Sequence, residues 1–394
     1  MKCQCRAPEI LWFGSHSYIQ VSEGAIRYNR LTMAGNPIAG SLWTLWLYDV
    51  CEEIDLDALR AILGVQAPRE SRVRHPSPEY VRFERPPVVQ QIDAIILEDG
   101  SRLQGELNYY EYGVVSIKLE LPFHADWQQL ADLSSRWMAN PEPEARALQA
   151  VRRCLRGAHA TLIKPHENWL SEDYYIIHLK DTTKPALTAA ELIAEHGSEI
   201  ARIVRGEQAE LSLEETEEIL GSRLSYYPDD LLVVGWTAAF IHDTAEDAVP
   251  TIQLLEYANT QLLEFRYYDA VLSQLLKGVY RSLEKKGSFL TRWRLASQAL
   301  HLNTIRLDIR ELTERVDTSI KFLSDMFSAR LYRLAAKKVG VDDYRRLVDG
   351  KLHTAGELYE FMMDQFHQSR AFVLEVLVVI ILLIELVFLF RGKS

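Results

Sequence analysis

Across residues 42–249 the spacing of apolar positions switches repeatedly between period two and period three-to-four, as expected of a chain that mixes strands with helices. Leu42 to Cys51 (LWTLWLYDVC) is rich in aromatic and β-branched residues and reads as a strand. Asp55 to Leu63 reads as a short helix with an aspartate cap. Ile92–Leu97, Asp99-Gly100 and Arg102–Leu107 form a hairpin pattern, because Asp-Gly suits a primed turn. Tyr112-Gly113 leads into a strand at Val114–Leu121, followed by helical spacing over Asp126–Met138 and Pro143–Leu155. A strand at Tyr174–Leu179, a helix over Ala186–Val204 behind Pro185 and a last strand at Leu231–Ile241 complete the region. The alternation lacks a regular βαβ period and a glycine-rich turn, so the expected fold is α+β rather than Rossmann-like.

After Pro250 the pattern changes. Leu255, Ala258, Leu262, Phe265, Asp269, Leu272, Leu276 and Val279 keep three-four spacing, and Leu302, Ile305, Ile309, Leu312, Val316, Ser319, Leu323 and Met326 resume it beyond a break at Gly287-Ser288. Two such runs predict a long antiparallel coiled-coil hairpin. Gly340 closes the second run, and Asp342-Asp343 caps a third helix from Tyr344 onward.

Ala371 to Phe390 is the most apolar stretch: seventeen of its twenty residues are Leu, Ile, Val or Phe. Twenty helical residues rise about 30 Å, the thickness of a bilayer's hydrocarbon. Their transfer favours insertion by about 8 kcal/mol, and Glu375 and Glu385 each oppose it by at most about 3 kcal/mol. The expectation is therefore a single-pass, tail-anchored protein with a C-terminal transmembrane helix. The expected division is an N-terminal segment (1–41), an α+β mixed-sheet domain (42–249), the hairpin (250–370), the span (371–390) and a tail (391–394). The start, MKCQCRAPEILWFG, carries no signal- or transit-peptide pattern. The bulk of the chain is thus expected in the cytoplasm, with a bacterial inner membrane as the favoured location.

Composition narrows the function classes. A net charge of −11 argues against a general nucleic-acid-binding surface while leaving room for local basic patches. Cys3, Cys5, Cys51 and Cys154 are too few and scattered for a disulfide framework, which fits a reducing compartment. Neither HExxH, paired CxxC, GxxxxGK[ST], GxGxxG nor GxSxG occurs, so no catalytic, metal or cofactor site is assigned. His242-Asp243 with Glu246 reads more simply as a loop at a strand end, and the CxC of Cys3 and Cys5 as a terminus. Within Tyr257–Asp269, Glu264, Arg266 and Asp269 could form an ionic site, but Glu264 and Arg266 read more simply as the solvent face of an amphipathic helix.

The candidate docking surface is the hairpin tip, where Lys277, Arg281, Lys285, Lys286, Arg292 and Arg294 cluster with only Glu284 opposed. A second group, Arg69, Arg72, Arg74, Arg82 and Arg85, is diluted by Glu70, Glu79 and Glu84 and reads as a polar loop. Glu375 and Glu385 lie about 80° apart around their helix and so do not make one proton relay; a channel built on them would require oligomerisation. Helix–helix or lipid contacts are the favoured role.

Leu374-Glu375-Val376 and Ile384-Glu385-Leu386, with the Leu231–Asp243 strand and Glu264-Phe265-Arg266, resemble the plan of the family of the mitochondrial "required for meiotic nuclear division" protein. That resemblance implies a membrane-anchored assembly factor without recognised catalytic residues, associated with organellar translation. The expected function is a non-enzymatic membrane scaffold whose partners are the lipid bilayer, a protein or ribonucleoprotein, and a further copy of the chain. The rival reading is a tethered enzyme or ligand-binding domain with a pocket around Tyr174, His178 or His242.

Overall fold

The computed structural model describes residues 38–65, 85–180, 187–284, 299–307, 309–310, 313–314 and 326–391. At its centre lies β1 (Ile38–Ile54), paired antiparallel with β4 (Val114–Ala125) on one side and β5 (Leu162–Lys180) on the other. β2 (Val88–Ile96) and β3 (Arg102–Tyr109) extend the sheet beyond β4. Beyond β5 come β8 (Ala238–Asp243), β7 (Leu231–Val234) and β6 (Arg223–Leu224). Only the β5–β8 pair is parallel, so the described residues form an eight-stranded mixed sheet in the order β2-β3-β4-β1-β5-β8-β7-β6.

Helices cover both faces of this sheet, which explains why β1 is apolar at successive positions. Leu42, Trp46, Tyr48 and Val50, at even positions of β1, face one core on what is called the even face of the sheet, while Leu45 and Leu47 face the other on its odd face. The first core is closed by α1 (Leu56–Leu63), α2 (Trp127–Met138), α3 (Glu142–Ala158), α4 (Ala189–Arg205) and α5 (Leu213–Leu220). Their starts are locally encoded. Asp55 accepts hydrogen bonds from the Asp57 and Ala58 amides, Asp126 with Gln129 and Thr188 with Glu191 complete capping boxes, and Ser212 caps α5.

The second core is covered by α6 (Ala248–Glu284), α8 (Met326–Val339) and α9 (Val341–Arg391), with α7 (residues 299–307) between them in the chain. Gly340, at φ +94°, turns α8 into α9 with backbone dihedrals that a side chain would strain. Gly113 is equally constrained, since a Cβ there would lie 1.7 Å from the Cys51 carbonyl oxygen.

Three expectations are corrected. The run Leu231–Ile241 is not one strand but two, β7 and β8, which pair antiparallel across Gly235–Thr237. The helices after Pro250 do not form a freestanding coiled coil: the first half of α6 lies on the sheet, where Leu254, Leu255, Ala258 and Leu262 pack with Leu45, Tyr174 and Ile176. Three-four spacing is common to a coiled-coil seam and a buried core helix, and here the sheet takes one flank of α6 while α8 and α9 take another. Only farther along do Leu276 and Val279 of α6, Ala299 and Leu302 of α7, and Ala355 and Met362 of α9 make a small core of their own. The Gly287-Ser288 break and Pro185 lie outside the described residues.

The last correction concerns the transmembrane helix at 371–390. Among the described residues no helix is long and apolar enough to cross a membrane. Glu375 and Glu385 bracket the uninterrupted apolar run Val376–Ile384, nine residues that rise about 14 Å, half the hydrocarbon thickness. The single-pass, tail-anchored placement is overturned with it, as is the orientation at a bacterial inner membrane that rested on it.

Candidate functional site

The chemistry of this chain concentrates where α6 meets the sheet. From Leu254 to Phe265 every residue of α6 is buried, and five of them are polar: Glu256, Asn259, Thr260, Gln261 and Glu264. Burying such groups is costly unless each finds a partner. The odd face of the sheet supplies several. Asn108 of β3 donates to Glu256 Oε1 at 2.7 Å, and the Tyr112 and Thr260 hydroxyls meet at 2.7 Å. From the other flank, Tyr332 of α8 donates its hydroxyl proton to Gln261 Oε1. Asn259 donates back to the Leu255 carbonyl at 2.8 Å within α6.

Lys118 of β4 stands beside Glu256 and pairs with Glu106 at 2.6 Å. Burial pulls its ammonium down, but the Glu256 and Glu106 carboxylates outweigh that and hold it above the ordinary lysine value. Burial likewise pushes Glu106 up, and Lys118 more than reverses the effect. Tyr110 is raised well above its usual value, first by burial and then by the neighbouring Glu256.

Two turns beyond Glu256 along α6 lies an acidic pair. Asp49 of β1 and Glu264 are 1% and 2% exposed, and each is raised, mainly by burial; Asp49 adds to the rise at Glu264. Tyr268 donates a hydrogen bond to Glu264 Oε2, while Oε1 of Glu264 and Oδ2 of Asp49 have no hydrogen-bond partner among the described residues. His166 of β5 places Nε2 3.1 Å from Asp49 Oδ1 and stacks on Tyr267 with ring centroids 4.5 Å apart. Two carboxylates in such surroundings cannot both ionise cheaply, so the pair holds a proton at pH values where free carboxylates have lost theirs. Arg266 then pairs with Glu172 of β5, and Asp269 accepts from Lys351 Nζ of α9 at 2.5 Å.

Glu264 is therefore not on a solvent face, as the amphipathic reading expects, and Arg266 is half-buried against the sheet. Sequence reasoning passed over Asp49, Asn108, Glu256 and His166. The available signal was the density of apolar residues around Glu256 to Glu264, which leaves no wide polar face for solvent.

Of the rival pocket residues, two make hydrogen bonds to the backbone of neighbouring strands and turns. Tyr174 donates its hydroxyl to the Gly235 carbonyl at 3.1 Å, tying β5 to the β7–β8 turn. His178 Nε2 lies 3.1 Å from the Asp243 carbonyl, and burial lowers its pKa. His242 is buried beside a cavity of about 30 Å³ lined also by Asp230, Asp243 and Asp247. That is room for a water or two, against roughly 300–1,000 Å³ for a small-molecule site. Among the described residues no three or more His, Cys, Asp or Glu side chains are arranged to hold a metal ion. Cys51 is buried with its thiol pushed up to about 12 by burial, and Cys154 is half-buried and also raised by it.

Of the docking residues, Lys277 and Arg281 are exposed on successive turns of α6, whereas Lys285, Lys286, Arg292 and Arg294 lie outside the described residues. So do Arg69, Arg72, Arg74, Arg82, Cys3 and Cys5; Arg85 is ion-paired with Glu111. Glu375 and Glu385 are exposed on α9.

Residues 39–248 match the family described as "Uncharacterized protein MJ0711, N-terminal domain", from the start of β1 to the first residue of α6. The chain belongs to that family. It is also similar to uncharacterized protein MJ0711 of Methanocaldococcus jannaschii, with 24% identity over 196 residues, or 50% of this chain and 60% of the relative. The chain thus aligns with about three fifths of the curated relative it matches. No solved structure matches. These matches replace the resemblance to the meiotic-nuclear-division family, which rested on short motifs in the terminal helix, on Glu264-Phe265-Arg266 and on Leu231–Asp243; of these only the last lies within the matched residues.

Proposed function

We propose that the chain is a non-enzymatic docking scaffold, in which the α+β domain fixes a helical arm that holds a protein partner. One observation carries the reading: large apolar side chains stand exposed beside cations on the part of the arm that has left the sheet. Tyr280 is 46% exposed beside the exposed Lys277 and Arg281 of the same helix, and Leu300 is 58% and Phe361 49% exposed on the α7 and α9 segments that share its small core. Aromatic and aliphatic anchors ringed by charge are the usual make-up of a protein-binding surface. The buried polar seam supports the same reading, because groups that must each meet a partner admit few positions of α6 on the sheet. The positive sign of the patch on a chain of net charge −11 favours a partner with an acidic face.

The test is a crosslinking pull-down with the full chain and a Lys277→Glu/Arg281→Glu variant, extended to Lys285, Lys286, Arg292 and Arg294 if the pair gives a partial effect. A defined protein captured by the native chain and lost on charge reversal is the expected result. Identical captures by both would remove the arm as the docking surface, and capture of RNA alone would turn the reading to a nucleic-acid partner. The tethered-enzyme reading has less support, since the cavity beside His242 is too small for a substrate.

A further inference from the structure

On the face of the sheet opposite α6, β5 leaves its regular path. Asp49 of β1 pairs with Leu170 and Cys51 with Pro165, so one residue of β1, Val50, is matched by four of β5, His166 to Trp169. These residues bulge out of the regular β1–β5 ladder, and Lys164 ahead of them adopts φ +49°, a conformation that side chains rarely take. Irregularities of this kind are concentrated beside binding sites, where they re-aim side chains. The space they open under α3 is a basin of about 630 Å³, within the range of small-molecule sites.

Its walls carry a particular chemistry. Arg152 and Arg156 project from successive turns of α3, joined by His159 just past the helix end; His166 borders the basin, but its ring is turned to Asp49 and Tyr267 on the other face. Neither arginine is ion-paired with a carboxylate among the described residues. Trp169 and Tyr48 form an aromatic corner, their ring centroids 6.1 Å apart, and the Arg152 guanidinium lies 5.6 Å from the centre of the Trp169 ring. Glu144 and Glu167 are the acidic members of the wall. Two unpaired guanidiniums a helical turn apart suit the forked recognition of a phosphate, and the indole and phenol beside them suit a planar ring.

From this juxtaposition we infer that the basin between α3 and the β5 bulge binds a small phosphorylated ligand bearing a planar ring, of the nucleoside-phosphate class, with Arg152 and Arg156 on the phosphate and Trp169 and Tyr48 against the ring. The site is separate from the arm of the docking reading and stands or falls without it.

Isothermal titration of the full chain with a nucleoside monophosphate, inorganic phosphate and the unphosphorylated nucleoside tests the assignment. The expected result is saturable binding of the monophosphate, at least tenfold tighter than either inorganic phosphate or the nucleoside. Arg152→Gln/Arg156→Gln weakens it by at least tenfold, and Trp169→Leu removes the preference over inorganic phosphate while leaving phosphate binding unchanged. Both arginines are exposed, and an unchanged thermal melt of the double variant shows that lost binding is not lost folding. Absence of saturable binding at millimolar ligand, or binding that survives the double variant, overturns the proposal. Equal affinity for inorganic phosphate and the monophosphate overturns the ring-binding part and leaves a plain anion site.

Discussion

The two faces of this sheet solve the same packing problem with different materials. On the even face Leu42, Trp46, Tyr175, Ile177 and Phe240 meet apolar helix faces, and Thr44 with the Trp137 indole supplies a hydrogen bond of 2.8 Å. On the odd face the sheet presents Asp49, Asn108, Ser116, Lys118 and His178 among its apolar positions, and α6 answers with Glu256, Asn259, Thr260, Gln261 and Glu264. Apolar contacts are non-directional, so helices on the even face can adjust by small shifts. Hydrogen bonds at 2.7 Å cannot slide by a residue without stranding a donor. The even face is built mainly for stability and the odd face for position.

The largest effect should come from removing volume on the even face. Phe240→Ala, at a fully buried ring beside Trp127, is expected to cost about 4 kcal/mol in denaturant unfolding, while Phe240→Leu costs far less. On the odd face Glu256→Leu should cost about 3 kcal/mol although it adds no cavity, because the buried Asn108 amide then loses its acceptor and Lys118 keeps only Glu106 of its two neighbouring carboxylates. If Glu256→Leu were neutral in the same unfolding series, the contrast between the faces would collapse.

Glu264 gives the next effect, and its sign follows from its raised pKa. The unfolded carboxyl loses its proton near the ordinary value of about 4.3, whereas the folded one keeps it to higher pH. The native state therefore binds more protons in that window. Stability falls as pH rises from the unfolded pKa toward the folded one, by up to about 1.4 kcal/mol per pH unit. Glu264→Gln, which stays neutral, should flatten the slope and make the protein more stable than the native chain at pH 7 to 8. Denaturation midpoints from pH 4 to 8 decide the matter, and a slope unchanged in the variant would mean that the proton resides elsewhere. The smallest effect belongs to Lys351→Ala, which removes a partly exposed pair with Asp269 and should cost about 0.5–1 kcal/mol.

What could be read in the chain and what could not divides along the same line. Caps at Asp55 and Asp126 and the Asp99-Gly100 turn act within a few residues, so α1, α2 and the β2–β3 hairpin are legible from local sequence. The cap at Ser212 was an equally local signal for α5, but LEETEEIL offers too few apolar positions to draw attention to it. Gly235-Trp236-Thr237 sits between two apolar runs, and reading through it merged β7 with β8. The site was less legible because burial of a polar group depends on what covers it. Glu264 looks like a solvated charge in its own helix and becomes a buried acid only when β1 brings Asp49 opposite it, 215 positions away in the chain. Likewise, Arg152 and Trp169 come to share a basin only through the bulge in β5.

The covering of the odd face bears on how this protein can be cut. The family match stops at residue 248, yet Leu45, Leu47, Tyr174, Ile176, Leu232 and Ile241 are roofed by helices that begin there. A fragment trimmed to residues 39–248 would expose that whole apolar surface along with the seam's unanswered polar groups. The unit recognisable across relatives is therefore smaller than the unit that can fold alone. A stable fragment has to carry at least α6, α8 and the start of α9, or borrow an equivalent roof from another chain.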